Sequence, residues 1–203
     1  MKSITTYITE KMVYSKANAS KYKYHPQTTE ELKDLMDHLI KERGNNGNFN
    51  DIDTSKITDM SQLFYYMDNF NGDISKWDVS NVKSMNRMFC KCYKFNQPLN
   101  DWDVSNVTNM TDMFAGCYDF NQPLNNLDVS NVIDMSGMFF YCESFNQPLN
   151  KWNVSKLIRM HKMFKGCELF NQDISKWNVS NVMDMEDMFD GCPIEEKYKP
   201  KFK

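Results

Sequence analysis

The chain has 203 residues, 41% of them hydrophobic and 25% charged, a balance that allows one continuous buried core. A formal net charge of -3 and a pI near 5.6 leave no basic field, which argues against nucleic acid as a partner. No apolar run approaches the roughly 18 residues of a membrane span, and the opening MKSITTYITEKMVYS lacks the uninterrupted apolar stretch of a secretory signal. The chain as it stands is therefore expected in the cytoplasm, and at the cell surface if an export signal has been removed.

Residues 1–24 are polar and carry Tyr7, Tyr14, Tyr22 and Tyr24 without a readable period, and Pro26 closes them. Thr28 followed by Glu31 has the spacing of a capping box. Leu32, Leu35, Met36, Leu39 and Ile40 then continue at helical spacing to Gly44. This predicts an amphipathic helix that covers the apolar end of the segment after it, and sets an N-terminal unit of residues 1–48.

The remainder of the chain is built from a repeat. A truncated copy runs from Ile52 through Ile57, Met60, Leu63, Phe64 and Met67, and Phe70, Phe95, Phe120, Phe145 and Phe170 each open a further copy, 25 residues apart with no insertion or deletion. A fixed period of this size is the signature of an array in which each unit packs on its neighbours, because one copy alone has too little apolar surface to fold. Within a copy, Trp77, Trp102, Trp152 and Trp177 share a column with Leu127. Val79, Val104, Val129, Val154 and Val179 stand two residues on, the alternation of a short strand. Val107, Met110, Met113 and Phe114 then fall at i, i+3, i+6 and i+7, which predicts a helix of two to three turns. Ser105 and Asn106 occupy its N-cap, and Gly116, Gly166 and Gly191 stand where a left-handed closing residue is wanted. Phe-Asn-Gln-Pro-Leu, with Pro98, Pro123 and Pro148, predicts an extended return. The array spans 49–192; Pro193 breaks it and 193–203 form a basic tail with Lys197, Lys199, Lys201 and Lys203.

The W-D/N-V-S-N-V and M-x-x-M-F-x-G-C signatures, with the lead-in TEELKDL at 29–35 and Asp51-Ile52-Asp53-Thr54-Ser55, resemble the BspA-type leucine-rich-repeat surface proteins. Their 25-residue version is also called the DUF285 family, and the resemblance covers roughly residues 24 to 192. It implies an LRR-like solenoid used for adhesion or host contact. Together with the periodicities, it gives an expected α/β fold of about six 25-residue strand-helix coils behind an N-terminal helical cap.

Chemistry is sought in the columns. Cys92, Cys117, Cys142, Cys167 and Cys192 align, and read as a ladder of core thiols more readily than as disulfides or a metal knuckle. The carboxylate and amide column Asp53, Asp78, Asp103, Asp128, Asn153 and Asn178 lacks the glycine-rich loop of calcium-binding arrays and suits turn hydrogen bonds. The three histidines fall in different elements, and no phosphate loop or nucleophile elbow is present. No catalytic, cofactor or metal residues are assigned, and the chain is expected not to be an enzyme.

Binding is expected where the copies differ. One candidate surface is the outer face of the strand, with Lys76, Asp78, Asp101, Asp103, Asn126, Asp128, Lys151, Asn153, Lys176 and Asn178, whose mixed charge suits a protein partner. A second is aromatic: the fourth copy, counting the truncated first, puts Phe140 and Tyr141 where its predecessor has Ala115 and Gly116, near Tyr93 and Tyr118. The expected function is a non-catalytic protein-binding scaffold of the adhesion or host-interaction type. The alternative is a cytoplasmic inhibitor or decoy, encoded by a mobile element or phage, that blocks a host protein.

Overall fold

The structure, a computed structural model, describes residues 21–202; the first twenty residues and Lys203 lie outside the described residues. Helix α1 spans Thr29–Arg43. Thr28 caps it, its hydroxyl accepting from the Glu31 N–H at 3.2 Å, while the Glu31 carboxylate accepts from the Gln27 N–H at 2.8 Å. Its inner face buries Leu32, Leu35, Met36 and Leu39. Arg43 fastens the far end by a two-pronged ion pair with Asp51, at 2.7 and 2.9 Å.

The repeats stack as six successive coils in parallel register, through bridges that step from Asp59 to Ser84, Asn109, Asp134, Arg159 and Asp184. The expected α/β alternation is not what builds them. Among the described residues α1 is the one α-helix, accompanied by a short 3-10 turn at Glu196–Tyr198, and there are no strands beyond isolated bridges. Each coil is a string of β-turns. In the third, N–H to C=O bonds close the turns 99–102, 104–107, 110–113, 114–117 and 117–120. The apolar residues stand at both ends of every turn and point inward. Their spacing of three comes from turn closure, and it imitates one stripe of a helix.

Two features exclude the helix. The N–H groups of Met110, Asp112, Phe114 and Gly116 leave their own coil and donate to Asp134, Ser136, Met138 and Phe140 of the next, at 2.7–3.0 Å. Four such bonds recur at each of the five junctions, from 60, 62, 64 and 66 through to 160, 162, 164 and 166. Two residues per coil also have positive φ, such as Asp112 at 53° and Gly116 at 74°, the third position of a type II turn. Gly116 and Gly166 therefore close turns and not helices. Tyr66, Lys91 and Tyr141 hold the same place at φ 62°, 64° and 53° in sister coils.

Where an extended return was expected, side chains join the coils. The Asn121 side-chain oxygen accepts both the Asn146 N–H at 3.0 Å and the Gln147 amide at 3.1 Å; Asn71, Asn96 and Asn146 do the same for the coils above them. Asn106, the expected helix cap, donates to the Ser80 carbonyl of the preceding coil at 2.8 Å. Trp102 and Val104 remain buried because one ends and the other opens successive turns, without sheet pairing.

Inside, two phenylalanine columns run the length of the stack. Phe64, Phe89, Phe114, Phe139, Phe164 and Phe189 succeed one another at 5.5–6.0 Å between ring centres. Phe70 to Phe170 form the second column, and the two meet at 4.0–4.2 Å where each of the first five coils passes into the next. The thiols of Cys92, Cys117, Cys142 and Cys167 are buried and donate to the carbonyls of Phe64, Phe89, Phe114 and Phe139 at 2.8–3.0 Å. No helix of the described residues is long and apolar enough to cross a membrane.

Candidate functional site

The two surfaces expected to bind differ in form. On the first, Lys76, Asp101, Asn126, Lys151 and Lys176 form one exposed row, and Asp103, Asp128, Asn153 and Asn178 a second, continued by the half-buried Asp78. The second row has a local duty. One side-chain oxygen of Asp78, Asp103, Asp128, Asn153 and Asn178 accepts the N–H of the serine two residues on, at 3.0–3.2 Å, closing an Asx turn. In the first row Lys151 reaches Asn126 at 3.3 Å. These rows are a solvated, regular face.

The Asx turns give the chain a predicted acid response. The hydroxyl and N–H of Ser130 hold the Asp128 carboxyl below its ordinary 3.8, and Ser175 does the same for Asp173. A carboxylate whose folded pKa is depressed binds fewer protons when folded. Its contribution is full above the unfolded pKa and is lost as pH falls through the lower folded value. The melting temperature is expected to be flat above about pH 5 and to decline below about pH 4. Asp128→Asn, which keeps the accepting oxygen that Asn153 uses, should melt like the parent at neutral pH with a shallower acid limb. A scan of melting temperature against pH tests both statements, and an unchanged limb would remove the carboxylate from this role.

The aromatic surface is concave. Phe140 and Tyr141, with ring centres 4.5 Å apart and nearly perpendicular, form one wall. The opposite wall, three coils away, is a second perpendicular pair, Tyr65 and Tyr66, at 4.3 Å. Between them the two intervening coils place small residues, Cys90, Ala115 and Gly116, and the result is a cavity of about 340 Å³. At roughly 4.8 Å per coil, the backbones of the two walls stand about 14 Å apart. Tyr118 lines the slot, and Tyr93, half-buried, stacks behind it at 4.9 Å and 3°. The structure thus brings Tyr118, Phe140 and Tyr141 to one place, with Tyr93 as their support.

Tyr65 and Tyr66 escape a reading of the columns because they belong to the truncated first copy, which has no predecessor to contrast them with. A signal for them is present: they stand 75 residues, three periods, before Phe140 and Tyr141. Both walls use the same turn, in which the second aromatic takes positive φ. That conformation swings its side chain outward, and Tyr66 and Tyr141 are 52% and 44% exposed.

Charges rim the slot. Arg87 donates to Asp112 at 3.1 Å on one side. On the other, Lys91 lies 4.3 Å over the Tyr66 ring and donates to its hydroxyl at 2.7 Å, which raises the lysine pKa and lowers that of the phenol. Burial pushes the Cys90 thiol up to about 11. At neutral pH that thiol is protonated and a weak nucleophile. Among the described residues no group of three or more His, Cys, Asp or Glu converges as a metal site. The slot offers aromatic walls, a paired Arg87 and Asp112 and a further cation, Lys91, held on the Tyr66 ring and hydroxyl, an arrangement suited to holding an apolar or aromatic side chain.

A family model described as "Mycoplasma protein of unknown function, DUF285" matches residues 33–147 and again 122–197. No curated protein and no solved structure matches the chain. Since the first of those matches alone spans more than half of the 203 residues, the chain belongs to the DUF285 family.

Proposed function

We propose that the chain is a non-catalytic, protein-binding solenoid whose partner inserts an apolar or aromatic side chain into the Tyr65–Tyr66/Phe140–Tyr141 slot. The observation that carries this reading is the slot's place in an otherwise uniform array: two aromatic pairs on the outer edge of the turns, separated by two coils with Cys90, Ala115 and Gly116. Aromatic anchors around a small-residue floor are the form that concentrated binding energy takes at interfaces. The kinship with BspA-type surface proteins, and with it adhesion or host contact, is part of the proposal and rests on the repeat signatures.

A second setting is favoured by the thiols. Cys92, Cys117, Cys142 and Cys167 serve as reduced hydrogen-bond donors in the core. That suits a reducing compartment and therefore a cytosolic blocking protein. Surface labelling of intact cells separates the two settings.

The slot is tested by filling it. Ala115→Phe introduces the residue that the next coil already carries at Phe140, so the turn should tolerate it while the slot closes. With the partner recovered by affinity capture, Ala115→Phe and the pair Tyr66→Ala/Tyr141→Ala should each weaken binding about 30-fold, the loss of roughly 2 kcal/mol at an anchor. Their melting temperatures should stay near the parent's. Parental affinity in both would remove the slot; lost affinity in an Asp101/Asp103 charge-reversed protein instead would move recognition to the exposed rows.

A further inference from the structure

The stack ends asymmetrically. In coils one to five the four outward amides of each ladder segment find carbonyls in the next coil. In the sixth, the equivalent amides belong to Met185, Asp187, Phe189 and Gly191, and none of them meets a carbonyl of the described residues. The Met183 carbonyl, equivalent to the Ile158 carbonyl that accepts from Met183 at 2.9 Å, is likewise unmatched among the described residues. The chain after Cys192 does not supply the missing layer. It crosses to the other side of the coil, where Tyr198 accepts from Ile174 at 3.0 Å and Glu195 continues the asparagine ladder through Asn171 at 3.0 Å. Half of the terminal coil is thus closed; beside the ladder half the chain end and the coil line a cavity of about 530 Å³, with Lys199 5.5 Å over the Phe189 ring and Phe202 packed on the core, but no carbonyl of the described residues reaches the four amides.

Apolar exposure is concentrated at the same edge. Met185 is 41% exposed, whereas its equivalents Met85, Met110, Met135 and Met160 are at 0–1%. Met183 is 86% exposed, and Phe189 and Val182 are buried only in part. These residues lack the layer that covers their counterparts at each of the five internal junctions.

We propose that the open ladder edge, Met183–Gly191, is a strand-addition site for an extended peptide segment of a partner, one with coil-like chemistry. Such a segment places carbonyls at alternate residues against the four amides, offers an N–H to the Met183 carbonyl, and lays apolar side chains over Met183, Met185 and the solvated part of Phe189. The occupant is argued from continuity with the coil–coil interface, whose bonding pattern the edge extends by one step. A second copy using the same edge does not fit, because amides would face amides. Charge does not oppose a neutral segment: Lys165 pairs with both Asp187 and Asp190, at 3.0 and 2.8 Å, and Lys199 with Glu196 at 2.9 Å.

The test uses the full chain and a synthetic peptide copying its residues 106–117, NVTNMTDMFAGC, capped at both ends, with a scrambled peptide as control. The coil-like peptide should slow amide exchange at Met185, Asp187, Phe189 and Gly191 by about tenfold or more, while the scrambled one leaves them unchanged. Met183→Lys, on a side chain that supports no core contact, sets a charge on the edge and should weaken the peptide about tenfold without altering the melting temperature. Equal protection by both peptides, or protection confined to other residues, overturns the proposal. So does concentration-dependent self-association of the peptide-free protein in sedimentation that Met183→Lys abolishes, since the occupant would then be another copy.

Discussion

Phe114→Ala is expected to destabilise the chain by about 3–5 kcal/mol, the range for removing a fully buried aromatic ring from a core that cannot collapse around the gap. Phe114 stacks on Phe89 and Phe139, at 5.6 and 5.8 Å, and on Phe120 at 4.2 Å. None of these neighbours can close in, because the spacing of the column is set by backbone bonds between coils. Phe189→Ala supplies the comparison: its ring stacks on Phe164 at 6.0 Å with no coil beyond it, and is partly solvated, so its loss should be well under half as costly. Since arrays of this kind unfold by neighbouring units, coil-resolved amide exchange is a better measure than one midpoint. Phe114→Ala should raise exchange most in coils two to four. Equal losses for the two variants would show that the column does not act through stacking.

The second large effect is expected from a polar residue. Asn121→Ala removes one oxygen and leaves two donors, the Asn146 N–H and the Gln147 amide, without an acceptor in a half-buried layer. At about 1–3 kcal/mol for each buried unpaired group, the total should reach several kcal/mol. Asn121→Asp keeps the oxygen. It should therefore match the parent near neutral pH and fall toward the alanine variant only below about pH 4, as the carboxylate protonates. Chemical denaturation of the three proteins at two pH values decides the matter; similar losses for Asp and Ala at neutral pH would mean that packing, and not acceptance, is what Asn121 contributes.

The period, the identity of the core columns and the N-terminal helix are legible in the sequence because each is a matter of burial and spacing. Val107, Met110, Met113 and Phe114 are buried as their pattern requires. What that pattern cannot distinguish is a helix from consecutive turns, since both place inward residues three apart. The decisive signal lies elsewhere. Arg87, Asp112, Lys162 and Asp187 share one positive-φ column, and a polar side chain of any kind there means only that the place is exposed. The asparagines of Phe-Asn-Gln read as part of an irregular return, although an amide repeated at every period is what a side-chain ladder needs. The slot is half legible: Phe140 and Tyr141 announce themselves by contrast with Ala115 and Gly116, while the matching wall lies in the truncated first copy, with no predecessor for contrast.

The outward amides of the ladder have an electrical consequence. The peptide unit joining Asn109 to Met110 accepts from Met85 at one end and donates to Asp134 at the other, and units like it continue from coil to coil. Four files of peptide dipoles, each about 3.5 D, therefore run head to tail along the stack, offset in part by the bonds that donate toward the preceding coil, such as Thr108 to Lys83 and Asp119 to Tyr93, whereas the dipoles of ordinary sheets largely cancel. The sixth coil is the positive pole, and it carries Asp184, Glu186, Asp187 and Asp190, where the equivalent stretch of the second coil has Ser84, Asn86, Arg87 and Cys90. The array is thus polarised from end to end as an α-helix is, and molecules that approach pole to pole will attract or repel according to which ends they present.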